Sequence, residues 1–175
     1  MVFRHETRLL DGTGVRIRPI RPKDLRWVVP GFRRLSPETI YQRFFTPMAQ
    51  MPPDLARHFV NVDHVTREAL IAEISKGISY KPAGIARYEP TETPGVAEVA
   101  ILIPDRFQHK GIGRVLFHAI LQAGVENGIR TFTAEVLSEN RPMLHLLQTE
   151  ADIRESKVQQ GITHLVFSPR AERVA

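Results

Sequence analysis

The residues best suited to chemistry form one short segment, Gln108-His109-Lys110-Gly111-Ile112-Gly113-Arg114. It lies between an apolar run that predicts a strand and an amphipathic run that predicts a helix. The first turn of a helix has free N–H groups and a partial positive charge, and glycines let a ligand approach that backbone closely. Lys110 and Arg114 add two full positive charges. The segment therefore predicts a site for a phosphate or pyrophosphate.

Two common phosphate motifs do not describe this segment. A Walker A loop needs GxxxxGK[ST], which is absent, and the dinucleotide fingerprint GxGxxG fails because Leu116 stands at its last glycine. Taken without its surroundings, a Gly-x-Gly before a helix is most often only a tight turn. The motif alone therefore leaves both interpretations open.

Composition limits the kind of protein. The 175 residues are 42% hydrophobic and 25% charged, which predicts one globular domain over residues 1–175. The sequence has no cysteine, which excludes disulfides, thiolate zinc sites and a cysteine nucleophile. No apolar run approaches about 18 residues, and the start, MVFRHETRLLDG, lacks the apolar core of a signal peptide. We therefore expect a cytoplasmic protein with no membrane partner.

Positive charge is concentrated near the N-terminus. The net charge is +5, with +6 on residues 1–58 and −1 on the remainder. This pattern fits an anionic ligand or an acidic partner surface, and it equally fits a solvated basic face. A nucleic-acid-binding module would need a basic helix or aromatic stacking positions, and the longest basic run is Arg33-Arg34, so nucleic acid is an unfavoured partner. No histidine has a second histidine at i+4, and we expect no metal.

The order of predicted elements indicates a mixed α/β domain, mainly antiparallel, with about six to seven strands in its sheet and helices on both faces. One strand–helix–strand crossover spans residues 96–137. Predicted strands cover residues 7–10, 15–20, 69–74, 83–88, 96–103, 131–137, 153–158 and 162–167. The first three predicted helices start at Arg21 (to about Leu35), at Ser36-Pro37-Glu38 with Ser36 as N-cap (running Thr39 to Phe45) and after Pro53 (to about Val60). The other two start at Ile112, ended by Glu126-Asn127-Gly128, and at Asn140 (to about Gln148).

This order, with the motif, resembles the GNAT superfamily of N-acetyltransferases. The strand VAEVAILI, then PDRF, QHKGIG and an amphipathic helix, is similar to the acyl-CoA-binding core of that superfamily. Its loop pattern, Q/R-x-x-G-x-G/A, is matched by Gln108, Gly111 and Gly113. Within the superfamily, the segments IRPIRPKD, LSPETIYQRFF, AEVAILI and EVLSENRPML resemble the catalytic domain of bacterial protein lysine acetyltransferases that act on acyl-CoA synthetases.

The resemblance implies acetyl-CoA as the acyl-donor cosubstrate and gives roles to particular residues. The strand before the loop splays from its neighbour, and its backbone pairs with the pantetheine amides, at positions matching Ile101, Leu102 and Ile103. The backbone of Gln108, His109, Lys110, Gly111, Ile112, Gly113 and Arg114 holds the pyrophosphate. Asn140 either caps the next helix or reaches the cofactor, and Met143 completes the expected cofactor-binding set.

Glu98 is the expected catalytic residue. A carboxylate inside the apolar run VAEVAILI should be buried, and burial should raise its pKa. An amine with a pKa of about 10.4 is mostly protonated at pH 7, and its neutral form costs about 4.6 kcal/mol. Only the neutral amine attacks a thioester, so a carboxylate with a raised pKa suits the task of general base. The resemblance gives the matching glutamate this role. The alternative is a structural ion pair with an arginine such as Arg87.

The sequence departs from the family pattern at several positions. Many members have a tyrosine in the short helix as general acid, and the corresponding position here is Leu147. Ala151-Asp152 stands where Gly-Phe is usual, and His109 replaces a common glycine. We expect His109 and His145 to take no part in the chemistry.

Three functions stay open. The preferred one is acyl transfer to a primary amine, with a protein lysine as acceptor. The same chemistry could serve a small-molecule amine, and an acidic acceptor pocket would favour a polycationic one. A non-catalytic acyl-CoA-binding sensor would keep the loop and lose the base. The resemblance also makes a homodimer plausible.

Overall fold

A computed structural model describes residues 5–170. The first four residues of the N-terminal segment MVFRHETRLLDG, in which we expect no signal peptide, lie outside the described residues. One sheet contains all eight predicted strands in the order β1-β2-β3-β4-β5-β6-β8-β7. It is larger than the expected six to seven strands because the terminal hairpins each add an edge strand. The strands are β1 His5–Arg8, β2 Gly14–Pro19, β3 Glu68–Lys76, β4 Ser79–Pro90, β5 Val96–Leu102, β6 Thr131–Leu137, β7 Ala151–Gln159 and β8 Ile162–Pro169.

Only the pairing of β5 with β6 is parallel; the other strand pairs of the described residues are antiparallel. A parallel pair needs a crossover, and helix α4, Ile112–Glu126, provides it. The predicted mixed α/β fold with one crossover is therefore confirmed. The remaining helices are α1 Leu25–Phe32, α2 Pro37–Phe44, α3 Pro53–Val60 and α5 Arg141–Glu150.

The helices divide the core between the two faces of the sheet. Helix α4 packs its apolar side on one face, where Leu116 and Ile120 are fully buried. On the other face, α1 and α3 enclose a second cluster that includes Phe32 and Phe59. Gly128, with φ of +85°, follows the end of α4 as its position predicted.

Helix α1 is shorter than expected. Residues Pro22–Asp24 form a 3₁₀ turn before it, and beyond Phe32 the chain tightens into turns in which Leu35 N–H donates to Phe32 O at 3.0 Å. This tightening brings the chain to Ser36, the predicted N-cap of α2. Its hydroxyl accepts from Thr39 N–H at 3.1 Å. Residues 5–170 contain no helix that is long and apolar enough to cross a membrane.

Candidate active site

Strands β5 and β6 form a fork. They pair at only three positions, Val96 with Thr131, Ala97 with Phe132 and Glu98 with Thr133, and then separate. Strand β5 continues to pair with β4 as far as Leu102, so beyond Glu98 its other edge faces the opening. A cleft of about 1090 Å3 occupies this opening, lined by α2, β5, β6, α5 and the loop before α4. The separation of the strands agrees with the splay that the family resemblance implied.

Glu98 lies at the point of the fork and lines the cleft. The expectation of a buried side chain is wrong: Ala97 and Val99 point into the core, while Glu98 is exposed on the opposite face. A sheet covered on both faces would have buried it, but on this face the cleft lies over Glu98. The cleft walls still remove enough water to raise the pKa of Glu98, and the nearby charge of Glu135 raises it further. Arg43 acts in the opposite direction.

The alternative ion pair between Glu98 and Arg87 is not formed. Arg87 instead donates to Glu89, the cross-strand neighbour of Glu98, and its Nη2 lies 3.1 Å from Nε2 of His58. Among residues 5–170, Glu98 takes part in no ion pair within 4 Å. The carboxylate at the fork is therefore available for another partner.

Arg43 and Glu135 belong to the site, and sequence reasoning did not single them out. Both line the cleft with Glu98. The Arg43 guanidinium lies 5.0 Å from the ring centre of Phe44 and 5.7 Å from that of Phe59. Burial lowers the pKa of Arg43 to about 10, helped by the charge of Arg87 and opposed by Glu98. The only signal for Arg43 was its position four residues after Thr39, on the same face of α2.

The segment before α4 forms the other end of the cleft. Gln108, His109, Gly111, Gly113 and Arg114 line it, as do Ile101, Leu102 and Ile103 of the preceding strand. The side chain of Lys110 is exposed beside the cleft, and that of Ile112 is buried in the core, so Ile112 could face a ligand only with its backbone. Gly111 has φ of +85° and His109 has φ of +58°. His109 thus adopts a conformation that favours glycine.

The side chain of Gln108 fixes the loop. Its Nε2 donates to Ile103 O and to Thr39 Oγ1, both at 3.1 Å, and so joins the loop to β5 and to α2. Asp105 makes a second connection, accepting from Ser36 N–H at 3.0 Å and from Thr39 Oγ1 at 2.9 Å. Burial raises the pKa of Asp105, but the hydrogen bonds from Ser36 and Thr39 outweigh it and leave the pKa below its ordinary value. Three elements that meet at the cleft are therefore held in one arrangement.

Helix α5 supplies the remaining predicted residues. Asn140 accepts from Met143 N–H at 3.2 Å, which confirms its capping role, and Met143 lines the cleft. Leu147, at the position of the family's tyrosine, is fully buried and does not reach the cleft. Ala151 is buried at the start of β7.

The end of α5 also holds Arg114. Its Nε lies 3.0 Å from Oε1 of Glu150, and His118 Nε2 lies 2.7 Å from the second oxygen of the same carboxylate. Arg114 therefore has a fixed position at the edge of the cleft, and about half of its side chain stays exposed.

The arrangement combines three chemical capacities. One end of the cleft offers the N-terminal N–H groups of α4 with an arginine, which suits an anionic phosphate chain. The open edge of β5 offers backbone groups that suit a ligand with amides. At the fork stands a carboxylate with a raised pKa, which suits proton transfer. Among residues 5–170 no group of three His, Asp or Glu side chains is placed to hold a metal.

Comparison with known proteins identifies the family. Residues 36–150 match the Acetyltransferase (GNAT) family. The acetyltransferase PA5475 of Pseudomonas aeruginosa is 29% identical over 136 residues, which are 78% of this chain and 73% of that protein. Acetyltransferase Pat of Mycolicibacterium smegmatis is 28% identical over 132 residues, which are 75% of this chain but 39% of that protein.

A solved structure gives the same answer at the level of the fold. The crystal structure of the GNAT domain of S. lividans PAT superposes with a TM-score of 0.83 at 29% identity, and the match covers 94% of this chain and 96% of that chain. The matched family segment contains the fork, the loop and helices α2, α4 and α5. The chain therefore belongs to the GNAT family of acetyltransferases and is an N-acetyltransferase.

Proposed function

We propose that this chain transfers an acyl group from acetyl-CoA to a primary amine, with a protein lysine as the preferred acceptor and Glu98 as the general base. The observation that carries the proposal is the position of Glu98 at the point of the β5–β6 fork, where its pKa is raised. The similarity to two acetyltransferases named Pat supports a protein lysine as acceptor. We further propose that residues 1–175 act as one acyltransferase domain.

The cosubstrate would extend along the cleft from the loop to the fork. The N–H groups of the segment from Gln108 to Arg114 would face the pyrophosphate, with Ile112 contributing backbone only. The free edge of β5 at Ile101, Leu102 and Ile103 would pair with the pantetheine amides. Asn140 and Met143 would border it from α5, which lines the cleft opposite β5.

The proposed reaction needs no covalent enzyme intermediate. The Glu98 carboxylate takes one proton from the acceptor's ammonium group, and the neutral nitrogen attacks the thioester carbon. A backbone N–H of β5 facing the cleft stabilises the oxyanion of the tetrahedral intermediate. When the tetrahedral intermediate collapses, the newly formed C–N bond is kept and the C–S bond breaks. The nitrogen then loses its second proton, which neutralises the CoA thiolate.

The missing tyrosine fits this scheme. Leu147 is apolar and buried, so the position of the family's tyrosine presents no proton donor to the cleft. A thiol has a pKa of about 8.5, so its thiolate is a sufficiently stable leaving group at neutral pH. A dedicated general acid is therefore unnecessary for turnover.

A small polycationic amine is the second candidate acceptor. The cleft is lined by five glutamates, one of which, Glu150, is paired with Arg114 and His118. The other four, Glu38, Glu98, Glu135 and Glu139, would attract more than one positive charge. Initial rates with lysine-containing peptides and with small polyamines, measured at equal concentration, separate the two acceptors. A sensor without catalysis would bind the cosubstrate and acetylate neither.

Calorimetric titration with acetyl-CoA, beside dephospho-CoA and NAD, tests the proposal first. We expect saturable binding of acetyl-CoA and none of NAD. Binding of NAD with equal affinity, or no binding of acetyl-CoA, would contradict acetyl-CoA as the cosubstrate. The segment from Gln108 to Arg114 would then be only a tight turn.

A further inference from the structure

Glu98 and Glu135 occupy the two arms of the fork and face the same side of the sheet. Glu98 is paired with Thr133, and Glu135 lies two residues further along β6, so its side chain points to the same face as that of Thr133. Both carboxylates line the cleft, and the negative charge of Glu135 is near enough to raise the pKa of Glu98. Glu135 is held by His164, whose Nδ1 lies 3.1 Å from its Oε1.

We propose that Glu135 is a second acidic residue of the acceptor site, which binds the acceptor's ammonium group beside Glu98 and keeps Glu98 able to accept a proton from it. This inference rests on the proposed function, because it requires Glu98 to act as the base. It assigns to the acceptor a cationic amine that approaches through the fork.

The charges around Glu98 leave this position open to a cation. Arg87 is taken by Glu89, and Arg43 stacks on aromatic rings without an ion pair within residues 5–170. Arg43 is the arginine whose positive charge lowers the pKa of Glu98, and Arg43 also interacts with the charge of Glu89. The charged and titratable groups around Glu98 are Arg43 on α2, His58 on α3, Arg87 and Glu89 on β4, Glu135 on β6, Glu139 before α5, His145 on α5 and His164 on β8.

The two carboxylates would have different roles: both would bind the ammonium group, and only Glu98 would accept its proton. An ammonium ion between them is attracted to both, which favours its binding. Once bound, it gives one proton to Glu98, which becomes a neutral carboxylic acid, while Glu135 keeps its negative charge. The negative charge of Glu135 makes the neutral form of Glu98 more favourable, so proton transfer from the ammonium group to Glu98 costs less free energy. Glu98 then returns the proton to water after the amide has formed.

The pH dependence of kcat/KM in Glu135→Gln and Arg43→Gln tests this division. The rate requires the Glu98 carboxylate, so kcat/KM falls as the pH decreases through the pKa of Glu98. Removing the negative charge of Glu135 should lower that pKa and move the acidic limb to lower pH. Removing the positive charge of Arg43 should move the limb to higher pH, and Arg43→Lys should restore it toward the wild-type position.

Acceptor binding gives the second measurement. We expect Glu135→Gln to raise the acceptor KM ~10-fold, equivalent to about 1.4 kcal/mol, while acetyl-CoA affinity by calorimetry stays the same. The matched control is Glu155→Gln on β7, which removes the same charge next to Lys157, outside the cleft lining. It should leave the KM and the acidic limb at their wild-type values.

Several results would overturn the inference. Wild-type KM and an unmoved limb in Glu135→Gln would remove Glu135 from the acceptor site. A KM increase of the same size in His164→Gln would assign the effect to the pair between β6 and β8, and so would also contradict the inference. A wild-type protein that binds no acetyl-CoA would instead refute the proposed function itself.

Discussion

Glu98 and Thr133 are the last residues that pair β5 with β6, and the cleft opens directly beyond them. The parallel ladder stops here, although β5 remains paired with β4 through Leu102. One edge of β5 therefore stays structurally supported while the other is left for a ligand. The same residue that ends the ladder carries the carboxylate with the raised pKa, so the fold places a base where the opening begins.

Replacing Glu98 by glutamine should remove the base and keep the cleft. Gln has nearly the same shape but cannot accept a proton, so we expect kcat at pH 7 to fall by about 10²- to 10⁴-fold. Acetyl-CoA affinity should be unchanged because the loop lies at the other end of the cleft. Steady-state rates with a lysine peptide, beside calorimetry, measure both. Equal rates for the variant and the wild type would show that another group takes the proton.

The wild-type pH profile should reflect the same residue. The raised pKa of Glu98 means that its carboxylate is protonated at a higher pH than an ordinary glutamate. Because the base works only when deprotonated, activity should be lost on the acidic side, beginning above the usual glutamate range. In Glu98→Gln, this limb should disappear from the residual activity. A limb that persists there would belong to a different group.

The Gly111→Asp variant should lose acetyl-CoA binding. Gly111 has φ of +85°, and an L residue in that region costs roughly 1–2 kcal/mol. The added carboxylate would also repel the pyrophosphate. Gly111→Ala is the control for the backbone cost alone, since a Cβ there would lie 3.8 Å from Leu9 Cδ2, an ordinary contact. Calorimetry should show no binding for Asp and weakened binding for Ala. Full affinity in the aspartate variant would contradict the loop assignment.

The features that were predicted correctly from the sequence are those that residues close together in the chain determine. The apolar spacing from Ile112 onward predicted α4, Ser36 predicted the start of α2, and Asn140 predicted the cap of α5; each is confirmed by contacts within a few residues. Such signals act over one or two turns, so they can be read from the chain alone.

The missed features depend on residues that are distant in sequence. Nothing near Glu98 in the chain indicates that Arg43 and Glu135 surround it, because tertiary packing of α2 and the divergence of β6 bring them there. Distant packing also explains why Glu98 is exposed: an apolar run predicts burial on both faces only where other elements cover both faces of the sheet, and over Glu98 lies the cleft.

Two glycines inside helices should respond in opposite ways to alanine. Alanine usually stabilises a helix interior by about 0.5–1 kcal/mol relative to glycine. In α1, Gly31 has open space at the position of a Cβ, so Gly31→Ala should gain stability. In α4, a Cβ on Gly124 would lie 2.7 Å from Cζ of the buried Phe132, so Gly124→Ala should lose about 1–3 kcal/mol through overpacking. Urea unfolding measures both, and a stabilised Gly124→Ala would show that Phe132 can move aside.

The ion-pair network of β2, β3 and the 3₁₀ turn before α1 should contribute strongly to stability. Arg18 donates to Asp24 at 2.8 and 3.0 Å and to Glu73 at 2.8 Å, and all three residues are buried. Asp24→Asn would leave the guanidinium of Arg18 with one buried carboxylate instead of two. Breaking a buried pair on one side costs about 3–5 kcal/mol, and we expect a loss in that range by urea unfolding at pH 7.

Acid should reduce this difference between Asp24→Asn and the wild type. Burial raises the pKa of Asp24, but the hydrogen bonds and charge of Arg18 outweigh it, so its pKa in the folded protein lies below that of the unfolded chain. A carboxylate with a lowered pKa adds stability above its unfolded pKa, about 3.9 for Asp, and loses it as the pH falls toward the folded value. The wild type should therefore lose stability below pH ~4, and Asp24→Asn, which lacks this carboxylate, should lose less.

The control is Asp54→Asn, because Asp54 pairs with Arg57 on the exposed side of α3 and its side chain is 94% exposed. That variant should stay within about 0.5 kcal/mol of the wild type at both pH values, and an equally large loss there would mean that burial is not what makes the Arg18 network important.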